Sequence, residues 1–309
     1  MDGNESNDSA GSHSDGRYAG PVVLIRSLRL ASAIALIALS ERAIAGPSSV
    51  VKPTDAAPGH AGMTYLDLVR LAVPGLAMNA ADNQIEGRLA ATPRHLAGKE
   101  FEAAPTDPVV LGFMQARPIL VGWKRRLLVF ADLGAPPDSL AGTALLMLFD
   151  DGPTPRLLDA ADVSLDQDNE FADAPLLQLG PGDQAVVTYG EHDDADLTMG
   201  GYMIVSAVGD RLRMVGRVAV TSEKLCRWIG IETPTFTTAP DPGRPYRRIE
   251  LTIRAVFTHT DEDGCNDEKH TKAGILTFRA SYRWDPGHGG YVVAKSDLKA
   301  LDKLNQLGF

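Results

Sequence analysis

The sequence predicts a mainly β protein: an antiparallel sandwich or open meander of hairpins, with a short N-terminal helix and a C-terminal helix packed on the sheet. Three observations carry this. From Val109 onward, short apolar runs recur between Gly, Pro and Asp clusters with no helix-period stretch between them, which argues for antiparallel sheets rather than βαβ units. Three segments pass from strand through a tight turn into strand: Leu145 to Leu158, Met203 to Val215 and Tyr282 to Val293. Their Gly and Asp residues supply the left-handed backbone angles such turns need. The chain closes on Ser296 as a helix cap, with Leu298, Leu301 and Leu304 on one face and Gly308 as a stop.

Taken in order, residues 1–20 are polar, small and acidic and are expected to be disordered, because they hold too little apolar surface to bury. Arg26 and Arg29 then lead into the apolar run Leu30 to Leu39, and Ala43-Ile44-Ala45 precedes Gly46. A positive region, a short apolar core and an A-x-A site read as a signal peptide cleaved after Ala45. The run is too short to span a bilayer, and Glu41 and Arg42 close it, so no stable membrane anchor is expected after cleavage. The acidic preface is foreign to such a leader, which points to a translation start near Val22 or Val23.

Residues 46–108 read as a linker followed by a short helical and irregular subdomain. Thr64 and Asp67 resemble a capping box, and Leu66, Val69 and Val73 follow at helical spacing before Pro74. Residues 75–108 keep no sustained period and are expected to hold at most one strand. Residues 109–309 form the mainly β domain. Its strands are expected at Val109 to Phe113, Ile119 to Trp123, Leu127 to Phe130, Ala144 to Phe149, Arg156 to Leu158, Leu176 to Leu179, Ala185 to Tyr189, Tyr202 to Val208, Leu212 to Val220, Ile249 to Thr258, Leu276 to Trp284 and Tyr291 to Ala294. Ala239 to Tyr246 is a Pro-dense turn.

Composition narrows function mainly by exclusion. With 30 basic against 40 acidic side chains the net charge is −10, and after the leader the longest basic run is Lys124-Arg125-Arg126, so nucleic acid is not expected as a partner. Cys226 and Cys265 are the two cysteines. In an exported chain an even count reads as one disulfide, worth roughly 4 kcal/mol for an enclosed segment of about 40 residues. There is no G-x-S-x-G elbow and no H-E-x-x-H motif, and His288-Gly289-Gly290 sits in a hairpin rather than in a strand-to-helix oxyanion loop.

The densest potential ligand cluster is Glu191, His192, Asp194 and Asp196, weak candidates for a metal site that read otherwise as a solvated loop between strands. None of the acidic stretches at Asp166 to Glu170, Asp193 to Asp196 or Asp261 to Glu268 fits an EF-hand loop, although Ca2+ tolerates irregular oxygen shells. Trp123, Trp228 and Trp284 are expected in the core or covering it. The sequence thus favours a periplasmic or secreted, non-catalytic binding or envelope-associated β domain without cofactor. A hydrolase with scattered active-site residues and a cation-stabilised structural module are the alternatives.

Overall fold

A computed structural model describes residues 49–59, 62–89, 91–99, 108–135, 142–194, 196–225, 228–259 and 273–307, within one compact unit, Ile44–Phe309. The expected leader, Cys226, Cys265 and the acidic stretch at Asp261 to Glu268 lie outside the described residues. The elements are β1 (Ser49–Val50), α1 (Tyr65–Arg70), β2 (Ala77–Asn79), β3 (Gln84–Gly87), β4 (Val109–Val110), β5 (Phe113–Val121), β6 (Lys124–Asp132), β7 (Ala144–Asp150) and β8 (Leu157–Asp162). They continue as β9 (Asp168–Gly180), β10 (Asp183–Asp194), β11 (Leu197–Val208), β12 (Arg211–Leu225), β13 (Trp228–Ala239), β14 (Arg248–His259), β15 (Gly274–Asp285), β16 (Gly290–Ser296) and α2 (Leu298–Leu307). The protein is mainly β and antiparallel, as its sequence predicts. No helix among the described residues is long and apolar enough to cross a membrane.

The strands form three sheets: β1-β5-β6-β7-β8, the small β2-β3-β4, and a meander in which β9 through β16 each pair with the next in sequence. All three expected hairpins form. The β11–β12 turn is made by Gly209 and Asp210, both at positive φ, the pairing that matches the twist of the flanking strands. Several stretches of strand were not anticipated, among them β1 in the expected linker and the first parts of β9 and β11. Residues 75–108 hold β2 and β3, each too short to show a period. Strand β13 carries Pro234 beside three alternating threonines, and Pro counts against a strand within a sheet. It is tolerated because β12 pairs with β13 only from Ser222–Leu225 to Trp228–Ile231, so Pro234 lies where β13 is already an edge.

Packing follows the period-2 alternation of side chains. In β6, Leu127, Val129 and Ala131 face α1 and the small sheet, while Leu128 and Phe130 face β9 to β12. Burial on both faces explains why β6 and β7 read as unbroken apolar runs. Strand β10 is likewise buried on both sides, Val186 toward the first sheet, Ala185 and Val187 toward a second core. That core also contains Leu177, Ile204, Ile253 and Tyr282, so β13–β16 fold back over β9–β12 as the two leaves of a sandwich. Arg247 N donates to Leu179 O at 2.7 Å where the leaves meet.

The helices lie where their sequences suggest. Thr64 and Asp67 form a reciprocal capping box on α1, and Leu68 and Val69 are fully buried. At α2 the Ser296 hydroxyl accepts from Leu298 N at 3.1 Å, but Ser296 ends β16 and the cap position falls one residue later, at Asp297, whose carbonyl accepts from Ala300 N. Leu301 is fully buried in the sandwich core, and Leu304 packs near Ala255 and Phe257.

Candidate functional site

The sequence-nominated cluster is not a loop. Glu191 to Asp194 end β10, and Leu197 begins β11, so the segment is the far end of a long hairpin. Alternation then sends Glu191 and His192 to opposite faces. Glu191 accepts a short hydrogen bond from the Tyr189 hydroxyl, whose ring packs on Tyr202 at 4.5 Å. His192 Nδ1 lies 2.7 Å from Asp166 Oδ2 on the other face. Asp194 and Asp196 flank the hairpin tip, where Asp196 O accepts from Lys224 N at 2.8 Å. Among the described residues no group of three His, Cys, Asp or Glu side chains is arranged to hold a metal ion.

His95, isolated in sequence, meets Asp162 and Ser164 in the fold. It does not form a nucleophile–base pair. Its Nδ1 accepts from Ala97 N at 3.0 Å, which leaves Nε2 as the donor to the Ser164 carbonyl at 2.8 Å, so both ring nitrogens brace backbone. Asp162 accepts from Ala144 N and Ser164 N, and its burial raises its pKa above the usual carboxylate range.

Two surface features carry chemistry. The first is an acidic cleft of about 370 Å³ where the ends of β5 and β6 meet the start of β9, lined by Asp132, Asp168, Glu170, Tyr189 and Glu191. Burial, with the Asp168 charge adding to it, pushes Asp132 up to about 6 against a hydrogen bond from Gly134 N. Glu170 is raised by burial and by the charges of Asp173 and Glu191. Sequence spacing could not assemble these carboxylates, since three strands, β6, β9 and β10, contribute them.

The second is the outer face of β14–β16. Ile249, Leu251 and Ile253 point into the sandwich core, so Glu250, Thr252 and Arg254 point out, as do Thr277, Arg279 and Ser281 on β15. Register sets Arg254 opposite Thr277, Thr252 opposite Arg279, and Ser281 opposite Lys295. Arg254, Arg279 and Lys295 therefore occupy successive diagonal positions across three strands, about 7–8 Å apart at each step.

Of the acids on and beside this face, Glu250 and Asp241 are held by arginines, while Asp297, whose amide donates to Arg279 O at 2.8 Å, is exposed. Arg248 binds Glu250 Oε1 at 2.9 and 2.6 Å, and Arg283 holds Asp241 through two bonds of 2.8 and 2.6 Å. Among the described residues no carboxylate pairs with Arg254, Arg279 or Lys295. A concavity of about 550 Å³ lies here, lined in part by Thr252, Arg279, Ser281 and Lys295.

The tryptophans divide. Trp228 packs edge-on to His259 at 5.1 Å, and Trp284 packs on Tyr246 at 4.5 Å and Tyr291 at 5.7 Å. Trp123, expected in or over the core, is instead 71% exposed at the β5–β6 turn with φ 64, resting against Gly182, where a Cβ would fall 2.5 Å from its ring. Gly122 and Trp123 both take positive φ in this two-residue turn, and this pulls the ring out of the sheet layer. Comparisons with protein-family models, with curated proteins and with solved structures each find no match.

Proposed function

We propose that the chain is an exported, non-catalytic β-sandwich domain whose outer β14–β16 face binds an acidic polysaccharide of the cell envelope or its surroundings. The observation that carries this is the row Arg254, Arg279 and Lys295, three cations without a carboxylate partner among the described residues in a chain of net charge −10. Unpaired cations on one surface attract a polyanion, and the Thr252, Thr277 and Ser281 hydroxyls beside them can exchange hydrogen bonds with a hydroxyl-rich chain. A glycan fits better than nucleic acid because this face offers no aromatic ring for base stacking among those residues.

Retention on immobilised polygalacturonate, measured against salt, tests the reading. The wild-type chain is expected to bind and to release as salt rises, and the triple variant R254A/R279A/K295A to pass through with its melting temperature unchanged. Equal retention of both chains rejects the proposal. Export rests on the Arg26 to Ala45 leader; N-terminal sequencing of the secreted protein should begin at Gly46, and thiol trapping should find Cys226 and Cys265 unreactive until reduced.

The acidic cleft supports a second reading, a hydrolase in which Asp132, held protonated to about pH 6, serves as general acid. Polysaccharide cleavage that disappears on Asp132→Asn would establish it in place of the binding role.

A further inference from the structure

We propose, resting on the binding role above, that the ligand is an extended glycan chain lying obliquely across β14, β15 and β16, with at least three of its anionic groups engaged at once. A compact anion would need cations converging on a point. Here the register spreads them in a line: Arg254 stands opposite Thr277, two residues before Arg279, and Arg279 stands two residues before Ser281, the partner of Lys295. Each step crosses one strand and advances one pair in the same direction. The outer cations are thus about 14–16 Å apart, two diagonal steps of about 7–8 Å. That span exceeds any single phosphate, sulfate or carboxylate and matches a short run of charged sugars.

The hydroxyls follow the same line, Thr277 beside Arg254, Thr252 beside Arg279 and Ser281 beside Lys295. Past Arg254 the face changes character. The next row is Ile231, Val256 and Ile275, paired across β13, β14 and β15, with Ile231 and Ile275 among the exposed large apolar side chains. This row bounds the polar track at one end, since apolar surface gives an anion no partner. Arg248 and Arg283 flank the track but are already held by Glu250 and Asp241, and they contribute little to the ligand.

Calorimetry with oligogalacturonates of one to eight residues tests this on the full secreted chain. Affinity is expected to climb with length and level off once the oligomer spans the outer cations. R254A, R279A and K295A should each weaken the octamer about tenfold, the scale of one charge-assisted hydrogen bond, while Arg283→Lys leaves it within about twofold. A monomer, or inorganic phosphate, that binds as tightly as the octamer would show a compact anion site, overturning the extended ligand but leaving anion binding in place. Failure of the octamer and of polygalacturonate alike removes both. Tighter binding of a thymidine 20-mer than of the octamer overturns the glycan assignment.

Discussion

The carboxylate of Glu232 accepts a hydrogen bond from the backbone amide of Thr221 at 3.0 Å at the point where β12 and β13 separate. The ladder between those strands ends at Ser222 and Ile231, so the Thr221 amide would otherwise lose its partner, and the side chain replaces the strand. Asn305 Nδ2 donates to the same oxygen at 3.2 Å and ties α2 to the split. One residue thus closes the seam between the two leaves of the sandwich and fastens the helix over it.

This arrangement has a pH signature. Burial pushes Glu232 up to about 6, against hydrogen bonds from Thr221 and Asn305. An acid whose pKa is higher in the folded state adds stability that is fully present below its unfolded value of about 4.5 and is lost as pH rises through 6. The shift is worth about 2 kcal/mol. Glu232→Gln keeps an acceptor for Thr221 without the buried charge and is expected to gain about 1–2 kcal/mol at pH 7.5 while flattening stability between pH 4.5 and 7.5. Glu232→Ala leaves the Thr221 amide unpaired and should cost about 1–3 kcal/mol. Urea unfolding across this pH range checks both, and an unchanged pH slope in the Gln variant would count against the role.

Gly216 faces the ring of Tyr282 across the sandwich core, and a Cβ there would stand 2.5 Å from the ring Cζ. Tyr282 is 2% exposed and cannot swing outward. Gly216→Ala is expected to destabilise by about 1–3 kcal/mol through overpacking. Tyr282→Leu should absorb much of that cost, so the double-mutant cycle would show coupling of at least about 0.5 kcal/mol. Additive losses would place the strain elsewhere.

Asp132 should titrate near pH 6, well above an ordinary aspartate, as followed by carboxyl 13C NMR. Removing the neighbouring charge with Asp168→Asn should lower that midpoint, because a like charge disfavours ionisation, while burial keeps it above the ordinary value. A midpoint unmoved by the substitution would mean burial alone sets it.

Much of the strand layout was legible because hairpin signals are local. Gly209-Asp210 with apolar flanks names its turn wherever it occurs, and the Leu298, Leu301 and Leu304 spacing names a helix face. The candidate site was not legible for the same reason. Glu191 and His192 look like neighbours in the sequence, but adjacent residues in a strand point apart. Arg254, Arg279 and Lys295 are scattered over more than forty positions and become a row only when three strands take their register.

The sequence by itself determined the β class, the hairpins, the capping box of α1 and the alternation that separates inner from outer residues, all of which depend on residues a few positions apart. Only the tertiary structure decided that β12 and β13 part after four pairs, that Glu232 spans the opening, and that the outer face of β14–β16 carries its cations on a diagonal. Those features depend on cross-strand register and on leaf-to-leaf packing, which are set by the burial of Ile253, Tyr282 and Leu301 in a common core and not by any local pattern.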